Sequence, residues 1–311
     1  MLFRGTATAL VTPFRSDGSI DFSALERLIE FQIAEGIEAL VPCGSTGEAA
    51  TLSTAEQLEI IERTVLAVNR RVPVIAGTGT NNTRTTIELT NRATELGVDA
   101  VLVVTPYYNK PTQRGLLEHY RALIRHTDAR IILYNVPPRT GVNMLAETQL
   151  EVAVLSERII GTKEASGSLE QMQAILRDAP SHFAVYSGED ALTLPAIACG
   201  ARGVISVVSN YLPRRFGEGI RAALREDFAT ARSVLLDLLP LMQANFIESN
   251  PLPVKYILAR MGLIEEAYRL PLVPMSPESK KKIDALLLRY GIVTQQEPDH
   301  PVQAQAKTPL E

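Results

Sequence analysis

Cysteine and histidine are scarce in this chain of 311 residues, and their scarcity excludes several kinds of site. The two cysteines, Cys43 and Cys199, are too few for a disulfide framework and have neither a CxxC partner nor histidines nearby. We therefore expect both to be small buried residues. The four histidines show no spacing of the HExxH or CxxC…H kind, so the sequence predicts no metal site.

Concentrated charge and long apolar runs are also missing. The formal net charge is -4 and the basic residues are scattered, which argues against nucleic acid or an anionic membrane as a partner. No run approaches the roughly 18 uninterrupted apolar residues that a membrane span needs. The amino terminus lacks the layout of a signal peptide. We therefore expect a cytoplasmic protein.

Hydrophobic residues make up 46% of the chain and recur in short, nearly continuous runs. Such runs are typical of strands in a parallel sheet that is covered on both faces, because a half-exposed strand would alternate apolar and polar residues. Helical segments separate the runs, so residues 1–211 are predicted to form a (β/α)8 barrel, with a doubly wound open sheet as the alternative. The eight predicted strands are Ala7–Val11, Ala39–Pro42, Pro73–Ala76, Ala100–Val104, Ile131–Tyr134, Ile159–Lys163, Phe183–Ser187 and Gly203–Val207.

Helix start and stop signals support this alternation. Asp21 can cap the first helix, which is predicted to end at Gly36, and Ser53 with Glu56 has the pattern of a capping box. Residues 212–291 are expected to form a helical carboxyl-terminal region, and residues 292–311 are polar and proline-rich, which is typical of a disordered tail. The helices predicted in the carboxyl-terminal region are Arg214–Asn245, Pro253–Gly262 and Pro277–Tyr290.

Reactive side chains end two neighbouring strands of the predicted barrel. Tyr134 ends the fifth strand and Lys163 ends the sixth. In parallel α/β folds, the carboxyl ends of the strands open onto the active site. The chain has 24 arginines and only 7 lysines, and only lysine can lose its proton in an apolar setting and attack a carbonyl carbon. Lys163 is therefore a candidate nucleophile, and the alternative is an ion pair with Glu164.

Two glycine-rich segments follow the second and third strands. In Gly44–Glu48, glycines flank Ser45 and Thr46, so successive N–H groups can converge on one point and form a nest for a carboxylate. An ordinary turn is the alternative. Gly77–Asn82 lacks the third glycine of a dinucleotide-binding loop, and no acidic residue ends the next strand, so no nucleotide cofactor is predicted.

Seven motifs occur in an order and spacing that resemble those of one protein family. They are GSTGE after strand two, TPYYN after strand four, YNVPPRTG after strand five, GTKEAS on strand six, SGED after strand seven, GVISV on strand eight and NPLPVK in the helical region. Together they extend over residues 4–291 and resemble the dihydrodipicolinate synthase and N-acetylneuraminate lyase family. The joint match is far more specific than any single motif.

This resemblance implies a pyruvate-dependent enzyme of barrel fold that forms a Schiff base through Lys163 and uses no cofactor. It also implies that Tyr134 transfers protons, and that Ser45 and Tyr108 complete a hydroxyl relay in which Tyr108 comes from a neighbouring subunit. Ser45 and Thr46 would bind the pyruvate carboxylate. A homotetramer of two tight dimers is implied as well. These roles agree with the chemistry of the side chains, an amine nucleophile and a phenol that serves as acid and base.

The resemblance further places Gly188 and the carbonyl of Ile205 beside pyruvate, and it assigns the second substrate to Arg139. In the synthase branch, an arginine at this position binds the carboxylate of aspartate semialdehyde through its planar fork. We therefore expect condensation of pyruvate with L-aspartate 4-semialdehyde. Synthases commonly carry threonine at this position, whereas many lyases and dehydratases carry serine, as this chain does at Ser45. Another pyruvate lyase or keto-acid dehydratase is thus one alternative, and a non-catalytic sensor of small acids is a second.

Inhibition by lysine is predicted to be weak or absent. Lysine-inhibited members of the family carry His or basic residues and a Glu at the positions of Thr54, Gln57 and Thr85. Here all three side chains are neutral, so the charged partners of the inhibitor are missing. We expect steady-state turnover to be insensitive to sub-millimolar lysine, and an inhibition constant in that range would contradict the prediction.

Overall fold

Eight parallel strands form a barrel in the computed structural model, which describes residues 2–293. The strands are β1 (Gly5–Ala9), β2 (Ala39–Val41), β3 (Ile75–Gly77), β4 (Ala100–Val104), β5 (Ile131–Asn135), β6 (Ile159–Glu164), β7 (Ala184–Ser187) and β8 (Gly203–Ser206). Their hydrogen-bonded order is β2-β1-β8-β7-β6-β5-β4-β3. A parallel bridge between Leu40 and Val74 brings β2 to the start of β3, which closes the circle.

Helices follow the strands and cover the outside of the barrel. Three further helices extend the chain beyond the barrel. Within the described residues the helices are α1 (Phe22–Ala34), α2 (Thr54–Val68), α3 (Thr83–Glu95), α4 (Gln113–His126), α5 (Pro137–Thr140), α6 (Ala146–Ala153), α7 (Leu169–Asp178), α8 (Thr193–Ala198), α9 (Pro213–Leu224), α10 (Phe228–Ala244), α11 (Leu252–Arg260) and α12 (Pro277–Arg289).

The predicted barrel is confirmed. All eight predicted strands are present, and their ends differ from the prediction by at most two residues. The open-sheet alternative is wrong, because the bridge between Leu40 and Val74 joins β2 and β3, which stand at the two ends of the strand order. The helix signals are confirmed as well: Asp21 Oδ1 accepts from Ala24 N at the start of α1, and Ser53 and Glu56 form both hydrogen bonds of a capping box at α2.

Two predictions need correction. The single helix Arg214–Asn245 is wrong, since the chain leaves the helical conformation at Glu226, which has φ 66, and a new helix begins after Asp227. Asp227 caps this second helix by accepting from Thr230 N, a start signal that lies inside an otherwise continuous helical pattern. Cys43 is buried as predicted, but Cys199 is only partly buried.

The side chains of the strands divide between two cores. In β5, Ile132 and Tyr134 face the inside of the barrel, whereas Ile131 and Leu133 pack against the surrounding helices. This division follows from the pleat of a strand, which turns successive side chains to opposite faces. The parity of a residue in its strand therefore decides whether it can reach the interior of the barrel.

The carboxyl-terminal helices pack directly on the barrel. α9 contacts β1, α10 packs along α9, and α11 contacts the short turn Val208–Asn210 that follows β8. The division at residue 211 stays a prediction. Of the predicted tail at residues 292–311, residues 294–311 lie outside the described residues. Among the helices described, none is both long enough and apolar enough to cross a membrane.

Arg269 connects the carboxyl-terminal region to the start of α2, and we expect this contact to make stability depend on pH. Its guanidinium donates to both carboxylate oxygens of Glu56, at 3.0 and 2.6 Å. These hydrogen bonds lower the pKa of Glu56 from 4.5 to about 2. Because the folded-state pKa lies below the unfolded one, the pair stabilises the protein above pH 4.5, and this contribution is lost as the pH falls toward 2.

We expect Glu56→Gln to lower the free energy of unfolding at pH 7 by about 1–2 kcal/mol, a value reduced for partial solvent exposure. Glutamine can keep the capping-box hydrogen bond, so the change isolates the charge. Urea unfolding at pH 7 and near pH 3 measures the effect, with the exposed pair of Glu118 and Arg121 as the control through Glu118→Gln. Equal losses at both pH values would contradict the prediction.

Candidate active site

Lys163 and Tyr134 are direct neighbours inside the barrel. They are register partners on β6 and β5, so their side chains share one face of the sheet. Lys163 Nζ lies 4.4 Å from the centre of the Tyr134 ring, and each residue is 6% exposed. The structure thus brings together the amine and the phenol that the sequence singles out, at the carboxyl ends of adjacent strands.

The proposed ion pair between Lys163 and Glu164 is wrong. Glu164 is the next residue of β6 and therefore points to the outside of the barrel. There its carboxylate accepts hydrogen bonds from Asn135 Nδ2 at 3.1 Å, Gln149 Nε2 at 2.8 Å and Gln171 Nε2 at 3.1 Å. None of the lysine salt bridges in residues 2–293 involves Lys163. The amine is free of a carboxylate partner in this part of the chain.

Gly188 lies close to this amine. A Cβ atom at Gly188 would overlap the Cβ of Ala165 and would lie 3.1 Å from Lys163 Cε. The chain after β7 can therefore pass beside Lys163 only because residue 188 lacks a side chain. Ile205 is fully buried in β8 and belongs to the same interior core as Tyr134. The structure thus brings Tyr134 and Gly188 to Lys163 and places Ile205 in the interior of the same barrel.

The Gly44–Glu48 loop presents two free backbone donors. The N–H groups of Gly47 and Glu48 donate back into the loop, to Gly44 O at 3.0 Å and Ser45 O at 3.1 Å. In the described chain, the N–H groups of Ser45 and Thr46 donate to no other group. Two adjacent free donors suit a carboxylate. Both hydrogen bonds also fit the alternative of an ordinary turn, so the nest stays a prediction, and Glu48 adopts φ 55 at its end.

Three side chains from distant parts of the chain hold this loop. Thr12 Oγ1 donates to Gly47 O at 2.7 Å, and Asn250 Nδ2 donates to Thr46 Oγ1 at 3.0 Å. Lys255 forms a buried ion pair with Glu48. Because Thr46 Oγ1 already accepts from Asn250, its own proton is available to a ligand.

The sequence alone assigns no role to Thr12, Asn250 or Lys255. Asn250 and Lys255 belong to the NPLPVK motif, which was used only as part of the resemblance. The available signal was the position of Lys255 within the apolar run of α11, because a lysine among apolar neighbours is rarely buried without a partner. Thr12 gave no comparable signal.

A cavity of about 320 Å³ lies beside the Gly44–Glu48 loop. Ser45, Tyr134, Arg139 and Asn250 are among the residues that line it, and Tyr107 also reaches it. Neither the hydroxyl of Ser45 nor that of Tyr134 forms a hydrogen bond within the described residues. Both are free to bind a ligand. Nowhere in residues 2–293 do three or more His, Cys, Asp or Glu side chains come together as a metal site would require.

Arg139 supplies positive charge to the same cavity. Its Nη2 donates to the backbone oxygen of Asn250 at 3.0 Å, and the guanidinium has no salt bridge with any carboxylate in the described chain. Burial raises the pKa of Glu189, and the nearby cations of Lys163 and Arg139 partly counteract this effect. The cavity therefore offers an unpaired guanidinium to an anionic ligand.

Tyr108 is the one predicted catalytic residue that the structure does not bring to the others. Its side chain is 88% exposed, and the residue has φ 70. Tyr107, its neighbour, lines the cavity instead. A contribution from Tyr108 to the cavity of its own chain is therefore not supported.

Comparison with protein families identifies one model, described as the dihydrodipicolinate synthetase family, which matches residues 2–289. Curated relatives are similar over nearly their whole length. The 4-hydroxy-tetrahydrodipicolinate synthase of Koribacter versatilis is 49% identical over 294 residues, which are 94% of this chain and 98% of the relative. The 4-hydroxy-tetrahydrodipicolinate synthase of Chlorobium chlorochromatii is 49% identical over 289 residues, with coverage of 93% and 98%.

Solved structures show the same fold. Dihydrodipicolinate synthase from Aquifex aeolicus superimposes with a TM-score of 0.92 at 44% identity, and covers 93% of this chain and 99% of its own. Dihydrodipicolinate synthase from Thermotoga maritima gives a TM-score of 0.92 at 42% identity, with coverage of 94% and 100%. The barrel and its helical extension are therefore shared over almost the full length of these chains.

We expect Gly188→Ala to impair the reaction of Lys163 severely. The added methyl group would displace Lys163 or Ala165, so the amine would leave its position beside Tyr134. The rate at which borohydride traps a pyruvate adduct on Lys163, followed by mass spectrometry, should fall by about 100-fold, as expected for a catalytic group misplaced by about 1 Å. Gly115→Ala, in the first turn of α4, is the control and should leave this rate unchanged. An unaltered rate in Gly188→Ala would contradict the prediction.

Proposed function

The chain belongs to the dihydrodipicolinate synthetase family, and from this premise we propose that it condenses pyruvate with L-aspartate 4-semialdehyde to give 4-hydroxy-tetrahydrodipicolinate. This is the reaction of a lyase in lysine and diaminopimelate biosynthesis. The observation that carries the proposal is the buried amine of Lys163, which lies beside the Tyr134 phenol and has no carboxylate partner in the described chain.

The first half of the reaction prepares pyruvate as a nucleophile. Lys163 Nζ attacks the keto carbon, water leaves, and a Schiff base forms. Loss of a methyl proton then gives an enamine, whose terminal carbon is the nucleophile. The centre of the Tyr134 ring lies 4.4 Å from Lys163 Nζ. Its phenol moves these protons. The covalent bond also fixes the new nucleophile in position for the next step.

The carboxylate of pyruvate binds the loop after β2. The free N–H groups of Ser45 and Thr46 and the hydroxyl of Thr46 donate to it. Gly188 leaves space beside Lys163 for the substrate, and we assign the carbonyl of Ile205, a residue of the interior core, to the other side of pyruvate. The loop therefore determines the orientation in which the keto carbon faces the amine.

The second half joins the two substrates and releases the enzyme. The enamine carbon adds to the aldehyde of aspartate semialdehyde, whose carboxylate binds Arg139. The amino group of the same substrate then displaces Lys163 as the ring closes. Arg139 suits this task because it lines the cavity without a competing salt bridge in residues 2–293.

The relay and the assembly complete the proposal. Ser45 lines the cavity with a free hydroxyl, and Tyr108 projects into solvent from its own chain, which suits a residue that enters the cavity of a second subunit. A homotetramer of two tight dimers in the cytoplasm is the assembly and location that we propose. Sedimentation of the purified protein measures the assembly, and a monomer with full activity would contradict the role of Tyr108 in a second subunit.

The role of Arg139 gives the sharpest test of the substrate. We expect Arg139→Ala to lower kcat/KM for aspartate semialdehyde by about 100-fold or more, since two charge-assisted hydrogen bonds to the carboxylate are lost. The variant should still form the borohydride-trapped pyruvate adduct, because the hydrogen bond of Arg139 goes to the backbone of Asn250 and not to a group proposed to bind pyruvate. Arg177→Ala, at an exposed arginine of α7, is the matched control and should behave as wild type.

The same assays separate the alternatives. Faster turnover of N-acetylneuraminate or 2-keto-3-deoxygluconate than of aspartate semialdehyde by the wild type would favour another lyase or dehydratase of the family. The absence of any pyruvate adduct on Lys163 would leave only a sensor of small acids.

A further inference from the structure

Helix α11 contributes a buried cation to the Gly44–Glu48 loop. Lys255 Nζ lies 2.5 Å from Glu48 Oε1, and both side chains are 0% exposed. The two residues are 207 positions apart in the chain. No second cation of the described residues lies within salt-bridge distance of Glu48. Lys255 is therefore the direct charge partner of this loop.

Stability alone is a poor explanation for such a pair. Removing two charges from water is costly, and replacing a buried ion pair with apolar residues of similar size is often neutral or stabilising. Burial raises the pKa of Glu48 and lowers that of Lys255, and each charge counteracts this effect on the other. Lys255 Nζ also lies 4.3 Å from the Phe14 ring centre, a position that an apolar side chain could fill. A hydrogen-bonded pair adds a fixed direction, which apolar packing lacks.

The position of Glu48 determines how the loop presents its free donors. Glu48 N donates to Ser45 O at 3.1 Å. The carbonyl of Ser45 and the N–H of Thr46 belong to one planar peptide group, so a displacement of Glu48 rotates the N–H of Thr46. Glu48 also adopts φ 55, a conformation that a non-glycine residue keeps only when its surroundings impose it. The ion pair with Lys255 holds the side chain of Glu48 in this conformation, and Thr51 N, which donates to Glu48 O at 2.9 Å, holds its backbone.

We propose that the Glu48–Lys255 ion pair is a positioning element for the pyruvate carboxylate. It fixes the peptide between Ser45 and Thr46 so that the N–H group of Thr46 points at that carboxylate. This inference rests on the proposed function, because it takes the loop to bind pyruvate. Both residues act through the loop, and the carboxyl-terminal helical region thereby becomes part of the pyruvate site.

A double-mutant cycle tests the proposal. Glu48→Met and Lys255→Met each leave one buried charge without its partner, so Tm should fall in both single variants. The double variant removes both charges and should recover most of the lost Tm. We expect the KM for pyruvate to rise about tenfold in all three variants, as one weakened charge-assisted hydrogen bond would produce, and to stay raised in the double variant. The kcat at saturating pyruvate should change much less.

The control variant is Glu266→Gln, which removes the charge pair with Lys280 in the same helical region. It should lower Tm slightly and leave the KM for pyruvate unchanged. A KM that returns to the wild-type value together with Tm in the double variant would show a purely structural role and overturn the proposal. Unchanged KM values in the single variants would also overturn it.

Borohydride trapping of pyruvate on the wild type separates this inference from the proposed function. If the wild type forms the adduct on Lys163 and the variants keep their KM for pyruvate, only the inference fails. If the wild type forms no adduct, both the inference and the proposed function fail.

Discussion

The register between β5 and β6 is the constraint on which the rest of the site depends. It pairs Tyr134 with Lys163, and the pleat of the strands turns both side chains into the barrel while it turns Glu164 outward. A shift of one residue would exchange the amine for the carboxylate inside the barrel. The three amide donors that hold Glu164 outside, from Asn135, Gln149 and Gln171, therefore help to keep the amine of Lys163 inside.

Around this pair, the site combines contributions from the barrel and from the helices that follow it. The barrel supplies the amine, the phenol and a glycine that leaves space beside them. The carboxyl-terminal region supplies Asn250, which donates to Thr46 through its side chain and accepts from Arg139 through its backbone. One residue thus contacts the proposed binding groups of both substrates, so the orientation of the two half-sites is coupled through a single segment.

Features that depend on near neighbours in the chain could be predicted from the sequence. The eight strands, the Asp21 cap and the capping box at Ser53 belong to this group, because their signals lie within a few residues. The outward orientation of the Glu164 side chain also follows from strand alternation and is predictable from the sequence. The break at Glu226 was missed because helical periodicity continues on both sides of it. The contact between Lys255 and Glu48 joins residues that are 207 positions apart, so local sequence patterns do not predict it.

The distance along the chain between the loop and its partners has a consequence for biosynthesis. Asn250 and Lys255 are 204 and 207 residues beyond the loop residues that they contact. The loop emerges from the ribosome early, but Asn250 and Lys255 emerge only when most of the polypeptide has been translated. Nascent chains that already contain Lys163 therefore still lack part of the proposed pyruvate site. Competence to bind substrate should appear late in synthesis.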